Sequence, residues 1–176
     1  MQSHVDATCQ AAAQSMYAIK LLKSHGLDQE SIHAITTATV VTRLTYASPA
    51  WYGFISAQGK QQLQSVLNRA IRWGYLRPTC PSFEQLGNLR DTWLFDNILS
   101  NPSHVLYQYL PPLRTTHYNL RARAHGRELP KISSSLVDKN FFNRMLFKAI
   151  LFTVFLTVCF LITVVDYLKL FYLKRS

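Results

Sequence analysis

The sequence predicts an all-α chain: a small helical bundle over residues 1–110, a basic extended arm over 111–139, and a long C-terminal apolar helix over 140–176, a candidate transmembrane segment. Three observations carry this reading. Leu63, Val66, Leu67, Ala70 and Ile71 recur at the spacing of one helix face. Capping and stop residues, among them Gly26, Asp28, Gly74 and Ser82, punctuate the chain at helix-length intervals. The threonine- and valine-rich stretch that follows Asp28, which favours strand by propensity, does not alternate apolar and polar residues with the period of two that a half-buried strand requires.

The first element runs from Ala7 to His25, with Asp6 as its expected N-cap and Lys20, Lys23 and His25 in its last turns before Gly26. Asp28 caps the second, QESIHAITTATVVTRLTYA. Its threonines and valines favour strand by propensity, but its length and lack of alternation favour helix, and it is apolar or small nearly all round, as a helix between two neighbours is. Pro49 is expected to stop it. The third helix sets its apolar face against a polar one of Gln61, Gln64, Ser65, Asn68, Arg69 and Arg72, and Gly74 ends it. Ser82 with Gln85 forms a capping-box pattern for a short helix, and Asp91 is placed to begin another that carries Trp93, Leu94, Phe95, Ile98 and Leu99 up to Asn101-Pro102. A helical turn over 105–109 ends at Pro111-Pro112. LRTTHYNLRARAHGRELPK then reads as an extended or loosely ordered basic arm.

The tail has seventeen uncharged residues in a row from Ala149 to Val165. That is the lower end of the roughly 17 to 25 residues that cross a bilayer. Asp166 and Lys169 interrupt the apolar run, and cations lie on both sides of it, so topology stays open. The N-terminus lacks the basic start and apolar core of a secretory signal. The expected location is a membrane if the tail inserts, and otherwise the cytoplasm or nucleus.

A net charge of +10 on 176 residues calls for an acidic partner, either nucleic acid phosphates or an anionic membrane face. The nine acidic residues never stand side by side, so the paired carboxylates that hold two metal ions for nucleotidyl transfer are missing as a local motif. There is no P-loop, no Gly-x-Ser-x-Gly elbow and no His-Glu-x-x-His helix. Cys9, Cys80 and Cys159 are too scattered for a zinc module or a disulfide framework and read as free thiols. His25 and His33, like His117 and His125, read as surface or capping residues. No catalytic residue, metal site or cofactor is expected. What remains are arginines among aromatics: Arg43, Arg69, Arg72 and Arg77 near Tyr46, Trp51, Tyr52 and Trp73, then Arg114, Arg121, Arg123 and Arg127 beside His117 and Tyr118. Such mixtures suit nucleic acid, although aromatics at a helix corner serve equally as core and basic faces are often only solvated.

The order of the motifs adds to this. Leu44-Thr45-Tyr46-Ala47-Ser48-Pro49-Ala50-Trp51 resembles the Leu-x-Tyr-(Ala/Gly)-x-Pro-x-Trp signature that follows the polymerase palm in jockey-like non-LTR retrotransposon reverse transcriptases. Gln64 with Arg69-Ala70-Ile71-Arg72, then Tyr118-Asn119-Leu120-Arg121, then Asn140-Phe141-Phe142-Asn143-Arg144-Met145-Leu146 follow in family order. The resemblance covers roughly residues 10 to 148. It implies the thumb and post-thumb region of such an enzyme, a LINE-type transposable element, with Tyr46, Pro49 and Trp51 as a structural hinge that packs as core. It further implies Arg69, Arg72, Arg121 and Arg123 as nucleic-acid-binding residues. The palm with its aromatic-x-Asp-Asp carboxylates is absent, as are the endonuclease domain and the cysteine-rich knuckle of some relatives. The chain is therefore expected to bind but not to polymerise. Two alternatives stand beside this one: a tail-anchored single-pass protein with a basic cytosolic helical domain, and a translated fragment that does not fold alone.

Overall fold

A computed structural model describes residues 1–114, 126–131 and 134–149. It is helical, and among the described residues the only β pairing is an isolated antiparallel bridge between Leu113 and Arg127. The chain divides into two compact units, Met1–Ser100 and Asn101–Ser176.

Helix α1, Gln2–Ser24, buries Val5, Thr8, Ala12, Met16 and Ile19, one residue per turn along a single stripe. It begins a turn earlier than expected and is capped at Met1 instead of Asp6. Nothing from Gln2 to Val5 breaks a helix, and Val5 is 1% exposed, so packing extends the helix backwards. Asp6 instead accepts a hydrogen bond from the Gln2 side chain, Nε2, at 2.9 Å. The expected ending is found. Gly26 takes φ +86, and the amides of Gly26 and Leu27 donate to the carbonyls of Lys23 and Leu22, a paired closure of the helix end.

The threonine- and valine-rich segment is helical in three pieces: α2 over Gln29–Thr36, a π-helical turn over Thr37–Val41 and α3 over Thr42–Thr45. Asp28 caps it as expected, accepting from the Ser31 amide at 2.9 Å. The hydroxyls of Thr36, Thr37, Thr39 and Thr45 each donate to the carbonyl four residues back, and that of Thr42 to the carbonyl five back. Back-bonding of this kind loosens a helix locally and favours a widened turn. Leu44 and Val40 are fully buried, in keeping with a helix enclosed by neighbours.

Pro49 does not stop this helix. The break falls at Tyr46–Ala47, where Ala47 adopts φ +50, and Pro49 is the second residue of the next short helix, α4, Ser48–Trp51. Proline is tolerated there because a first-turn amide has no intrahelical partner. A 3₁₀ turn, Tyr52–Phe54, leads to α5, Ala57–Arg72, whose buried face of Leu63, Val66, Leu67 and Ala70 is the one the periodicity marked. Ser56 caps α5 by accepting from the Gly59 amide.

Helix α6 is continuous from Phe83 to Ser100, where the sequence predicted two helices. The capping box is present: the Gln85 amide donates to Ser82 Oγ, and the Ser82 amide to Gln85 Oε1. Asp91 caps nothing. It lies buried mid-helix on the face of Phe83, Gly87, Phe95 and Ile98, while Trp93 turns outward at 64% exposure.

Helices α1 and α5 run parallel. Gln2 donates to Gln62 at one end, and Lys23 donates to the Trp73 carbonyl at the other. Trp51 and Phe83 stack at 6.3 Å between centroids, with His4 edge-on to Trp51 at 5.1 Å, and this aromatic stack belongs to the core that α1 and α5 share.

In the second unit a 3₁₀ turn at Tyr107–Tyr109 precedes the Leu113–Arg127 bridge. Helix α7 follows at Ser135–Asp138, and residues 141–149 are helical with Phe141, Met145 and Leu146 buried. The remainder of the predicted apolar helix and the tip of the arm lie outside the described residues.

Candidate nucleic-acid interface

The two arginines expected on α5 sit in its last turn. Arg72 is exposed. Arg69 is half-buried, with its guanidinium carbon 6.0 Å from the centre of the Trp73 ring. The turn that follows fixes Trp73. Gly74 takes φ +73, its amide donates to Ile71, and the Tyr75 amide donates to the Ala70 carbonyl at 2.8 Å, repeating the closure that ends α1. Trp73 and Tyr75 meet edge to face at 5.8 Å, and the Gln29 side chain donates through Nε2 to the Gly74 carbonyl.

Because α1 and α5 are parallel and end at the same level, the basic last turns of both converge. The Lys23 ammonium donates to the Trp73 carbonyl at 3.4 Å and lies 5.6 Å from the centre of the Tyr75 ring. Among the described residues, none of Lys20, Lys23, Arg69 or Arg72 forms an ion pair with a carboxylate. Arg77 does, with Glu30, so it is less free for an outside anion. Arg43 reaches across to donate to the Ala11 carbonyl of α1, which makes it a brace between helices.

The expected hinge divides into two roles. Trp51 is core, 7% exposed, with its indole N–H on the Tyr46 carbonyl at 2.9 Å. Tyr46 is not core: it is 74% exposed, and the left-handed Ala47 directs the chain away immediately after it. Pro49 is half-buried. Tyr46 and Trp93 line a shallow surface depression with Arg90.

Of the arm arginines, Arg121 and Arg123 lie outside the described residues. Arg127 is 8% exposed, donates to the Pro111 carbonyl and stands over the Tyr107 ring at 4.9 Å, so it anchors the base of the arm and does not present charge outward.

Cys9 and Cys80 are free thiols, as expected, and Cys159 lies outside the described residues. Burial pushes the Cys9 thiol up, Asp6 adds to this and Arg69 opposes it; burial likewise raises Cys80. Both are held in the protonated, poorly nucleophilic form. Among the described residues no three His, Cys, Asp or Glu side chains gather to hold a metal ion, and no helix is long and apolar enough to cross a membrane.

Sequence reasoning assigned Lys20 and Lys23 only to the end of a helix and passed over Tyr17. Their spacing, three residues apart along α1, was the available signal: it places Tyr17, Lys20 and Lys23 in one row along the helix, which meets the line of the apolar stripe at Lys23, four residues past Ile19. What could not be read was that Trp73 and Tyr75, fifty residues on, lie opposite them. Comparison with family models, with curated proteins and with solved structures gave no match to this chain.

Proposed function

We propose that this chain is a remnant of the thumb and post-thumb region of a non-LTR retrotransposon reverse transcriptase, which binds nucleic acid weakly and without sequence preference and does no chemistry. The ordered motifs in the sequence support the ancestry. The single observation that carries the binding is the convergence of Lys20, Lys23, Arg69 and Arg72 at the joint end of α1 and α5, none of them neutralised by a carboxylate among the described residues. Cations left unpaired in one place hold counterions that a polyphosphate displaces, and that release drives salt-sensitive binding. The absence of adjacent acidic residues in these 176 residues supports the lack of catalysis.

The test is the salt dependence of duplex DNA binding by the full-length chain and by a variant with Arg69, Arg72, Arg121 and Arg123 replaced by alanine. Undiminished binding by the variant, or nucleotide incorporation by the pure protein on a primer-template with divalent metal, would count against the reading.

A second reading rests on a different observation, the uncharged run from Ala149 to Val165. By it the chain is a tail-anchored membrane protein whose basic part faces anionic lipid. Carbonate extraction of membranes from expressing cells separates the two: a chain released into the soluble fraction is not anchored.

A further inference from the structure

The joint end of α1 and α5 is not merely basic. It holds an open groove of about 570 Å³ lined by Tyr17, Lys20 and Lys23 from α1 and by Trp73 and Tyr75 beyond α5, with Met16 among the apolar residues of its wall. That volume falls among those of small-ligand sites, about 300–1,000 Å³. Tyr17 is 65% exposed and Trp73 44%, whereas Trp51, which does serve the core, is 7% exposed. Among the described residues, no acidic one lines the groove.

We propose that this groove takes one unstacked base of a single-stranded nucleic acid on the Tyr17 and Trp73 rings, with Lys20 and Lys23 on the neighbouring phosphates. The proposal rests on the reading that the chain binds nucleic acid, and it adds the strand class and the contact residues. Rings with cations alongside match a nucleotide, whose flat face stacks and whose phosphate pairs with an ammonium. A duplex keeps its base faces inside the stack and offers only phosphate, so the rings would gain nothing from it. Both helices point their carbonyl ends here, which disfavours anions on the backbone, so the phosphate must rest on the lysines. Lys23 already holds the Trp73 backbone carbonyl, which leaves Lys20 as the freer phosphate contact.

The experiment measures binding of the full-length chain to a short oligothymidine, to an oligonucleotide of equal length and charge made of abasic sites, and to a duplex. The intact single strand should bind tighter than the abasic one by on the order of 5- to 100-fold at equal salt. Replacing Tyr17 and Trp73 together with alanine should erase that difference while keeping the salt slope, and Lys20→Gln should lower the slope on single strands by about 0.7. Tyr17→Ala alone, at a site two-thirds exposed, guards against a double variant that fails to fold. Equal affinity for the abasic and intact strands would overturn the groove and leave the arginine-based reading standing. No nucleic-acid binding at low salt would overturn both. If phosphatidylserine vesicles bind through Tyr17 and Trp73 while oligonucleotide binding ignores those rings, the groove belongs to a membrane surface and the proposal fails.

Discussion

The indole N–H of Trp51 donates to the backbone carbonyl of Tyr46 at 2.9 Å, closing the corner between α3 and α4 from inside. The corner has no glycine, and Ala47 turns it in a left-handed conformation that costs an alanine roughly 1–2 kcal/mol. The bond from Trp51, together with its stack on Phe83, holds that turn. Trp51→Ala should lower unfolding stability by about 3–5 kcal/mol. Trp51→Phe keeps a ring for the stack and should lose much less. Denaturant titration of both variants checks this, and an unchanged Trp51→Ala midpoint would remove Trp51 from the core.

Gly87 sets helix propensity against packing. Glycine to alanine inside an exposed helix gains up to about 1 kcal/mol. Here a Cβ would stand 2.6 Å from Tyr52 Cε2 and 2.9 Å from Cδ2, and Tyr52 has little room to retreat, being 5% exposed and packed on Phe83. Overpacking of this kind costs about 1–3 kcal/mol, so Gly87→Ala should destabilise. A raised melting temperature would show that the ring moves freely.

The hydrogen bond that the Ser31 amide gives to Asp28 holds the Asp28 carboxyl below its ordinary value of 3.8. A carboxyl depressed in the folded state contributes stability that is present above the unfolded value and is lost as pH falls through the folded one. Stability should therefore decline on acidification partly through this cap. Asp28→Asn keeps an acceptor for Ser31 but carries no titrating group, so its stability should fall less over that acid range. Parallel curves for the two proteins would show that the cap is not a contributor.

On duplex DNA each neutralised phosphate contributes about −0.9 to the slope of log affinity against log salt. If Arg69, Arg72, Arg121 and Arg123 are contacts, the fourfold alanine variant should flatten that slope by roughly three to four units. Replacing Arg127 instead should leave the slope unchanged and affect only stability, because its guanidinium is tucked against Pro111 and Tyr107. A slope change from Arg127 would mean that the base of the arm opens on binding.

The sequence was most legible where a local rule fixes a local shape. Gly26, Asp28, Gly74 and the Ser82–Gln85 box each do what their neighbours in the chain dictate, and the Leu63–Ala70 stripe is buried as its period says. It was least legible where a distant partner decides. Asp91 looked like a helix start because aspartate favours caps, yet burial among Gly87, Phe95 and Ile98 keeps α6 continuous through it. Pro49 looked like an end because proline usually is one, but the left-handed Ala47 breaks the helix first. Tyr46 and Trp51 looked like equals in an aromatic corner, and only the direction of the chain after Ala47 sends one ring out and the other in. The groove followed the same logic: its lysines were visible, but Trp73 and Tyr75 face them only because α1 and α5 pack parallel.

That parallel pairing has a consequence for how the chain is made. Helix α1 meets α2 and α3 soon after it is made, but its pairing with α5 waits for a helix whose last residue is Arg72, about fifty residues beyond its own end. At about 5–20 residues per second that interval lasts several seconds, with the ribosome hiding the newest part of the chain for longer still. During it α1 can dock only on α2 and α3, and the part of its apolar stripe that α5 covers is open to chaperones or to the same stripe on a neighbouring nascent chain. The yield of folded protein should thus depend on how that partly covered stripe is protected during synthesis.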